Sequence, residues 1–115
     1  MLNILEVARF TVNVLEEKIG EDILLIDIQE IASFTDYFII CTGTSDRMLD
    51  GLADAVKSEV KKEFNISGRI EGVPSSGWLV VDLGDVVVHL FSPDKRDFYR
   101  LEDLWSQGKV LLRVQ

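Results

Sequence analysis

The sequence predicts an α+β domain: a mixed sheet of about five strands, layered with two long amphipathic helices and a short C-terminal helix. Three observations carry that prediction. Apolar residues recur at helical spacing near the N-terminus and again over 49–64; short aliphatic runs at 22–28 and 35–42 lie between those two segments; and 78–91 alternates about a central Gly-Asp as a β-hairpin does. The 115 residues suit one domain, 1–115, and with 47% hydrophobic residues they can bury a core.

The first helix follows from Ile4, Leu5, Ala8, Val12, Leu15 and Ile19, spaced by threes and fours along one stripe that stops at Gly20. Asp22 to Ile28 and Thr35 to Thr42 read as strands, apolar at odd and even positions alike, so both of their faces should be covered. Gly43-Thr44-Ser45 breaks the second run. Thr44 or Ser45 can cap a second helix with Asp46 at its positive end, and Lys57, Lys61 and Lys62 gather towards its C-terminus near Asn65.

From Ser67 to Gly77 the glycines, serines and Pro74 predict a loop around one weak strand at Arg69 to Glu71. The hairpin register can be derived. Pairing Leu83 with Val86 across Gly84-Asp85 sets Val81 opposite Val88 and Leu79 opposite Leu90, an aliphatic face. The other face pairs Asp82 with Val87, Val80 with His89 and Trp78 with Phe91. Ser92-Pro93-Asp94 starts a third helix expected to run to about Trp105, and Gly108 then releases an apolar stretch, Val110-Leu111-Leu112.

Charge narrows the function classes. Twelve Lys and Arg stand against 20 Asp and Glu, a net of -8, so naked nucleic acid would be repelled and a basic protein attracted. No apolar run approaches the roughly 20 residues that span a bilayer, and no signal or transit peptide is recognisable, which predicts a cytoplasmic bacterial protein. The single cysteine, Cys41, lies inside an apolar run as a small hydrophobe, and neither it nor the single histidine, His89, can build a metal cage alone. No cofactor is expected.

Two groups of residues are candidates for partner contact. Trp78, Val80, Asp82, His89 and Phe91 share the more aromatic face of the hairpin, and aromatic side chains are the usual energetic anchors of interfaces. A helix lying over that face would make them core instead. Around the third helix, Tyr99, Leu101, Leu104 and Trp105 interleave with Asp97, Glu102 and Asp103, apolar anchors ringed by acids that would suit a basic protein; Leu101, Leu104 and Trp105 could equally pack the helix on the sheet with the acids facing water. A nucleotide-transferring enzyme would need a Gly-Ser element for phosphates and converging carboxylates for Mg²⁺. Gly43 to Ser45 could supply the first, but Asp82 and Asp85 flank a tight turn and Asp50 and Asp54 fall on the helix, so no acid pair is in place.

Four strings, Thr35-Asp36-Tyr37-Phe38-Ile39-Ile40-Cys41-Thr42-Gly43-Thr44-Ser45, Glu71-Gly72, Gly77-Trp78 through Asp82-Leu83-Gly84-Asp85-Val86-Val87-Val88-His89-Leu90-Phe91, and Phe98-Tyr99-Arg100-Leu101-Glu102-Asp103-Leu104-Trp105, resemble one family in this order. It is the ribosomal silencing factor family, RsfS, also called iojap or YbeB. The resemblance runs from about Asp22 to Trp105, with one departure at Met48, where the family commonly carries a polar residue. It implies a nucleotidyltransferase-like fold and a non-enzymatic protein that binds the large ribosomal subunit through ribosomal protein L-fourteen. Small-subunit association would thereby be blocked and translation repressed when nutrients are scarce. A role in large-subunit assembly is the alternative within that setting, and exposed aromatics would let the free protein pair with itself.

Overall fold

The structure, a computed structural model, describes residues 3–115. Helix α1 (Ile4–Glu17) leads into the antiparallel strands β1 (Glu21–Asp27) and β2 (Tyr37–Thr42), followed by helix α2 (Asp46–Phe64). Strands β3 (Arg69–Glu71), β4 (Trp78–Asp82) and β5 (Val86–Phe91) come next, then helices α3 (Pro93–Tyr99) and α4 (Leu101–Leu104), and strand β6 (Lys109–Val114). The sheet order is β3-β4-β5-β2-β1-β6, with β2 parallel to β5 and the other neighbours antiparallel. It is the expected α+β architecture with one strand more than the five expected.

The helix termini show why the chain breaks where it does. Asn3 caps α1 by accepting from the Leu5 amide, and Ser45 caps α2 by accepting from the Met48 amide at 3.1 Å. Asn65 ends α2 in the left-handed region at φ 59°. At the end of α1 it is Ile19, not Gly20, that takes positive φ, and Ile19 is 75% exposed, outside the inward stripe assigned to it above. Gly20 is required for a different reason: a Cβ there would stand 2.5 Å from the Cys41 sulfur.

Helices α1 and α2 cover one sheet face with Val7, Leu15, Leu49, Leu52 and Val56, against Leu25, Ile39, Cys41, Leu79, Val81 and Val88. On the opposite face a smaller cluster joins Leu24, Ile26, Phe38, Ile40 and Phe91 to Leu101 from α4. Strand β2 is buried along its whole length and β1 through its centre, as the unbroken apolar runs required. The hairpin has the derived register throughout, from Trp78–Phe91 to Asp82–Val87. Gly84 closes it at φ 92°, where its amide is held 2.8 Å from an Asp82 carboxylate oxygen.

Two C-terminal elements differ from expectation. The single third helix is two short ones, because Arg100 turns left-handed at φ 46° between α3 and α4. The turn lets Leu101 reach the core at 8% exposure and brings Glu102 back to Arg96, so tertiary contacts outweigh helix continuity here. The stretch after Gly108 is strand β6 at the sheet edge, with Val110 55% and Leu111 41% exposed. Between Val110 and Leu112 its register on β1 slips, and with Lys109 and Arg113 this bulge blunts an otherwise sticky edge.

Candidate docking surface

The second sheet face is only partly covered, and the side chains at the margin of its cover are mostly rings. Trp78 stacks on Phe91 with centroids 5.1 Å apart and leans on Tyr99 at 4.8 Å. Its indole Nε1–H donates to His89 Nδ1 at 3.2 Å, His89 meets Phe38 edge-on at 4.7 Å, and Phe38 meets Trp105 at 5.1 Å. Phe34 closes the file against Trp105 at 5.9 Å, while Phe98 extends its other end from Tyr99 at 4.9 Å. The file thus runs Phe34, Trp105, Phe38, His89, Trp78, Tyr99, Phe98 across β2, β5 and β4.

Strand pleating and the C-terminal cover decide which members meet solvent. Phe91 is fully buried and His89 is 8% exposed, so both lie beneath the surface, where a free aromatic face had been expected to present them outwards. Tyr99 of α3 lies over Trp78 and Phe91, with the buried Leu101 of α4 in the same cluster, while His89 is enclosed by the rings of Phe38, Trp78 and Phe91. Trp78, Val80, Asp82, Glu102 and Trp105 are half-buried, while Tyr99 and Asp97 are exposed. The expected contact residues therefore fall into an upper tier that reaches solvent and a lower tier of Phe91, His89 and Leu101 that supports it.

Two large exposed rings lie outside the residues selected from sequence: Phe34 at 61% and Phe98 at 74%; Leu104 is likewise 73% exposed. Phe34 sits between Ser33 and Thr35 outside any periodic run, and a large ring in a polar loop is the available signal for it. Phe98 belongs to no inward stripe either, and Lys95 Nζ stands 5.7 Å from its centroid.

The cover is fastened by one arginine. Arg96 Nε donates to Glu102 at 3.1 Å, and its Nη1 donates at 2.8 Å both to the Asp22 carbonyl and to the Thr42 hydroxyl. A guanidinium suits this position because its rigid fork serves several acceptors at once. Exposed carboxylates stand around it, with Asp97 and Asp103 flanking Arg100 in i,i+3 pairs. Ser92 donates to Asp94 at 2.7 Å and lowers that carboxyl's pKa below its ordinary value.

The chemistry available elsewhere is limited. Burial pushes the Cys41 thiol up to about 12, far from a reactive thiolate. Among the described residues no group of three His, Cys, Asp or Glu is placed to hold a metal ion. At the start of α2, where a phosphate would be held, the Thr44 amide and hydroxyl lie 3.3 and 3.4 Å from the Met48 sulfur, and Ser45 takes the Met48 amide. The departure at Met48 is thus a thioether folded back over the loop that a nucleotide would need.

The family model described as "Ribosomal silencing factor during starvation" matches residues 2–114. The chain belongs to the ribosomal silencing factor family. It is 39% identical over 95 residues to the silencing factor of Bacillus subtilis, covering 83% of this chain and 80% of that protein. A crystal structure of a Chromobacterium violaceum protein superposes with a TM-score of 0.86 at 34% identity, covering 99% of this chain and 94% of the other. A mouse protein named for mitochondrial assembly of the ribosomal large subunit is 35% identical over 98 residues, 83% of this chain but only 43% of its own length. The six-stranded sheet with its split C-terminal cover is therefore the frame of a silencing factor, and among the described residues no helix is long and apolar enough to cross a membrane.

Proposed function

We propose that this chain acts in the cytoplasm by binding alone: it docks on the large ribosomal subunit through ribosomal protein L-fourteen and occupies the ground the small subunit would take, so that translation falls. The observation that supports this reading is the half-exposed ring of Trp78, wedged between Phe91 and Tyr99 beside Val80 and within a surface that includes Asp82, Asp97 and Glu102. An aromatic anchor with acidic neighbours on a chain of net charge -8 is suited to a basic ribosomal protein. Trp105 continues the surface at the far side of Phe38, and His89, Phe91 and Leu101 hold it up from below.

Sedimentation with isolated large subunits tests the docking. The chain should comigrate at low micromolar concentration and physiological salt; failure to comigrate under those conditions rejects the reading. The same exposed rings would let the free chain pair with itself, which size-exclusion chromatography with and without the ribosomal protein reads directly.

A second reading is large-subunit maturation, favoured by the name of the mouse relative. Precursor particles accumulating in a deletion strain would support it. For a nucleotide-transferring enzyme the support is weak, since the loop before α2 is occupied by Met48 and the carboxylates of Asp50 and Asp54 lie along the helix itself.

A further inference from the structure

His89 sits where an apolar residue would serve the core better. Its neighbours are the rings of Phe38, Phe91 and Trp78, it is 8% exposed, and its Nε2 is buried with no hydrogen-bond partner. Burial holds the imidazole neutral, with a pKa lowered to about 4. Because Nδ1 accepts from Trp78, the proton of the neutral ring is on Nε2, so the orphaned group is an N–H donor. An unsatisfied buried donor is a cost to stability, and a phenylalanine would fill the same space without it.

What histidine supplies there, and phenylalanine does not, is the acceptor for the Trp78 indole. The χ2 torsion of tryptophan is broad, and stacking between Phe91 and Tyr99 restrains the plane of the indole without choosing which edge carries the N–H inwards. We infer that His89 is a positioning residue for docking: its Nδ1 fixes the edge of Trp78 that faces inwards and so presets the edge offered to the partner. This rests on the docking reading proposed above and deepens it. Presetting matters because an anchor already in its bound rotamer loses less freedom on association.

The test pairs His89→Phe with Trp78→Phe and reads binding, stability and the indole itself. His89→Phe removes the orphaned Nε2–H but also takes the acceptor from the Trp78 indole, so the melting temperature should change little, while comigration with large subunits should weaken by about three- to tenfold, the worth of one ordinary hydrogen bond. In a Trp78→Phe background the same change should cost nothing further. The Nε1–H resonance of Trp78, assigned by its loss in Trp78→Phe, should exchange with solvent faster in His89→Phe and recover protection in His89→Asn, whose amide oxygen restores an acceptor. Equal losses of binding in both backgrounds, unchanged affinity in His89→Phe, or an unchanged indole exchange rate would each overturn the assignment while leaving docking through Trp78 intact. Full binding by Trp78→Phe and Trp78→Ala alike would instead remove Trp78 from the interface and take the role of His89 with it.

Discussion

Arg96 and Thr42 stand 54 positions apart in sequence, yet the arginine Nη1 lies 2.8 Å from the threonine Oγ1. With the bonds to the Asp22 carbonyl and to Glu102, this contact ties the C-terminal cover to the ends of β1 and β2. Arg96→Met keeps most of the side-chain volume and deletes all three bonds. The expected loss is about 2 kcal/mol of unfolding free energy, discounted because Glu102 is partly solvated. Urea titration measures it, and faster amide exchange in α3 and α4 should accompany it.

Trp78→Ala removes the ring that Phe91 and Tyr99 hold at the surface. An aromatic anchor is typically worth on the order of 2 kcal/mol or more, so affinity for the large subunit should fall roughly thirtyfold. Circular dichroism should show an unchanged fold. Comigration at wild-type strength would place the interface elsewhere.

The buried imidazole makes stability fall on the acid side. In the unfolded chain His89 takes up a proton near its ordinary 6.5, but in the folded protein only near 4, so the unfolded state binds more protons between those values. Its contribution is complete above 6.5 and is lost as pH falls through that window, on the order of 3 kcal/mol by pH 4. Melting curves of wild type and His89→Phe over this range isolate it, because carboxylate titrations are common to both. The wild type should lose more.

Gly20 and Cys41 form a steric pair. Gly20→Ala should destabilise the domain by roughly 1–3 kcal/mol, since the new methyl would meet the Cys41 sulfur. Cys41→Ala opens space for it, so the double variant should regain part of that loss in a thermal-melt cycle. Strict additivity would mean that the backbone contact to the Leu15 carbonyl, 3.1 Å from the added carbon, dominates instead.

Millimolar Mg-ATP should leave the melting temperature unchanged, because the Thr44 amide and hydroxyl already donate to the Met48 sulfur and the Met48 amide to the Ser45 hydroxyl. A clear upward shift would revive the nucleotide reading.

How far these features could be read from the amino acids depended on whether the signal was local. The β4–β5 register followed from pleat alternation and Gly84-Asp85, and both faces of β2 were predictable as covered because its apolar run is unbroken. The break at Arg100 had no such signal: neither glycine nor proline marks it, and only the tertiary demands of Leu101 and Glu102 place it. Strand β6 was equally hidden. Its apolar triplet has no clear period, and it becomes a strand by pairing with β1, more than 80 residues away in the chain. For the site, face sharing placed Trp78, Val80 and His89 together correctly, but depth was illegible, since Tyr99 reaches Phe91 only by the tertiary placement of α3 and Leu101 joins that cluster only after the unseen break. Phe34 was missed because a lone ring in a loop has no periodicity to expose it.

On the docking reading proposed above, a large subunit occupied by this chain cannot take up the small one. Light scattering of purified subunits mixed at joining conditions, with and without a molar excess of the chain, measures it most directly. Joined ribosomes should fall in proportion to the chain bound, and Trp78→Ala should restore them. Undiminished joining while the wild-type chain is shown to be bound would contradict the claim.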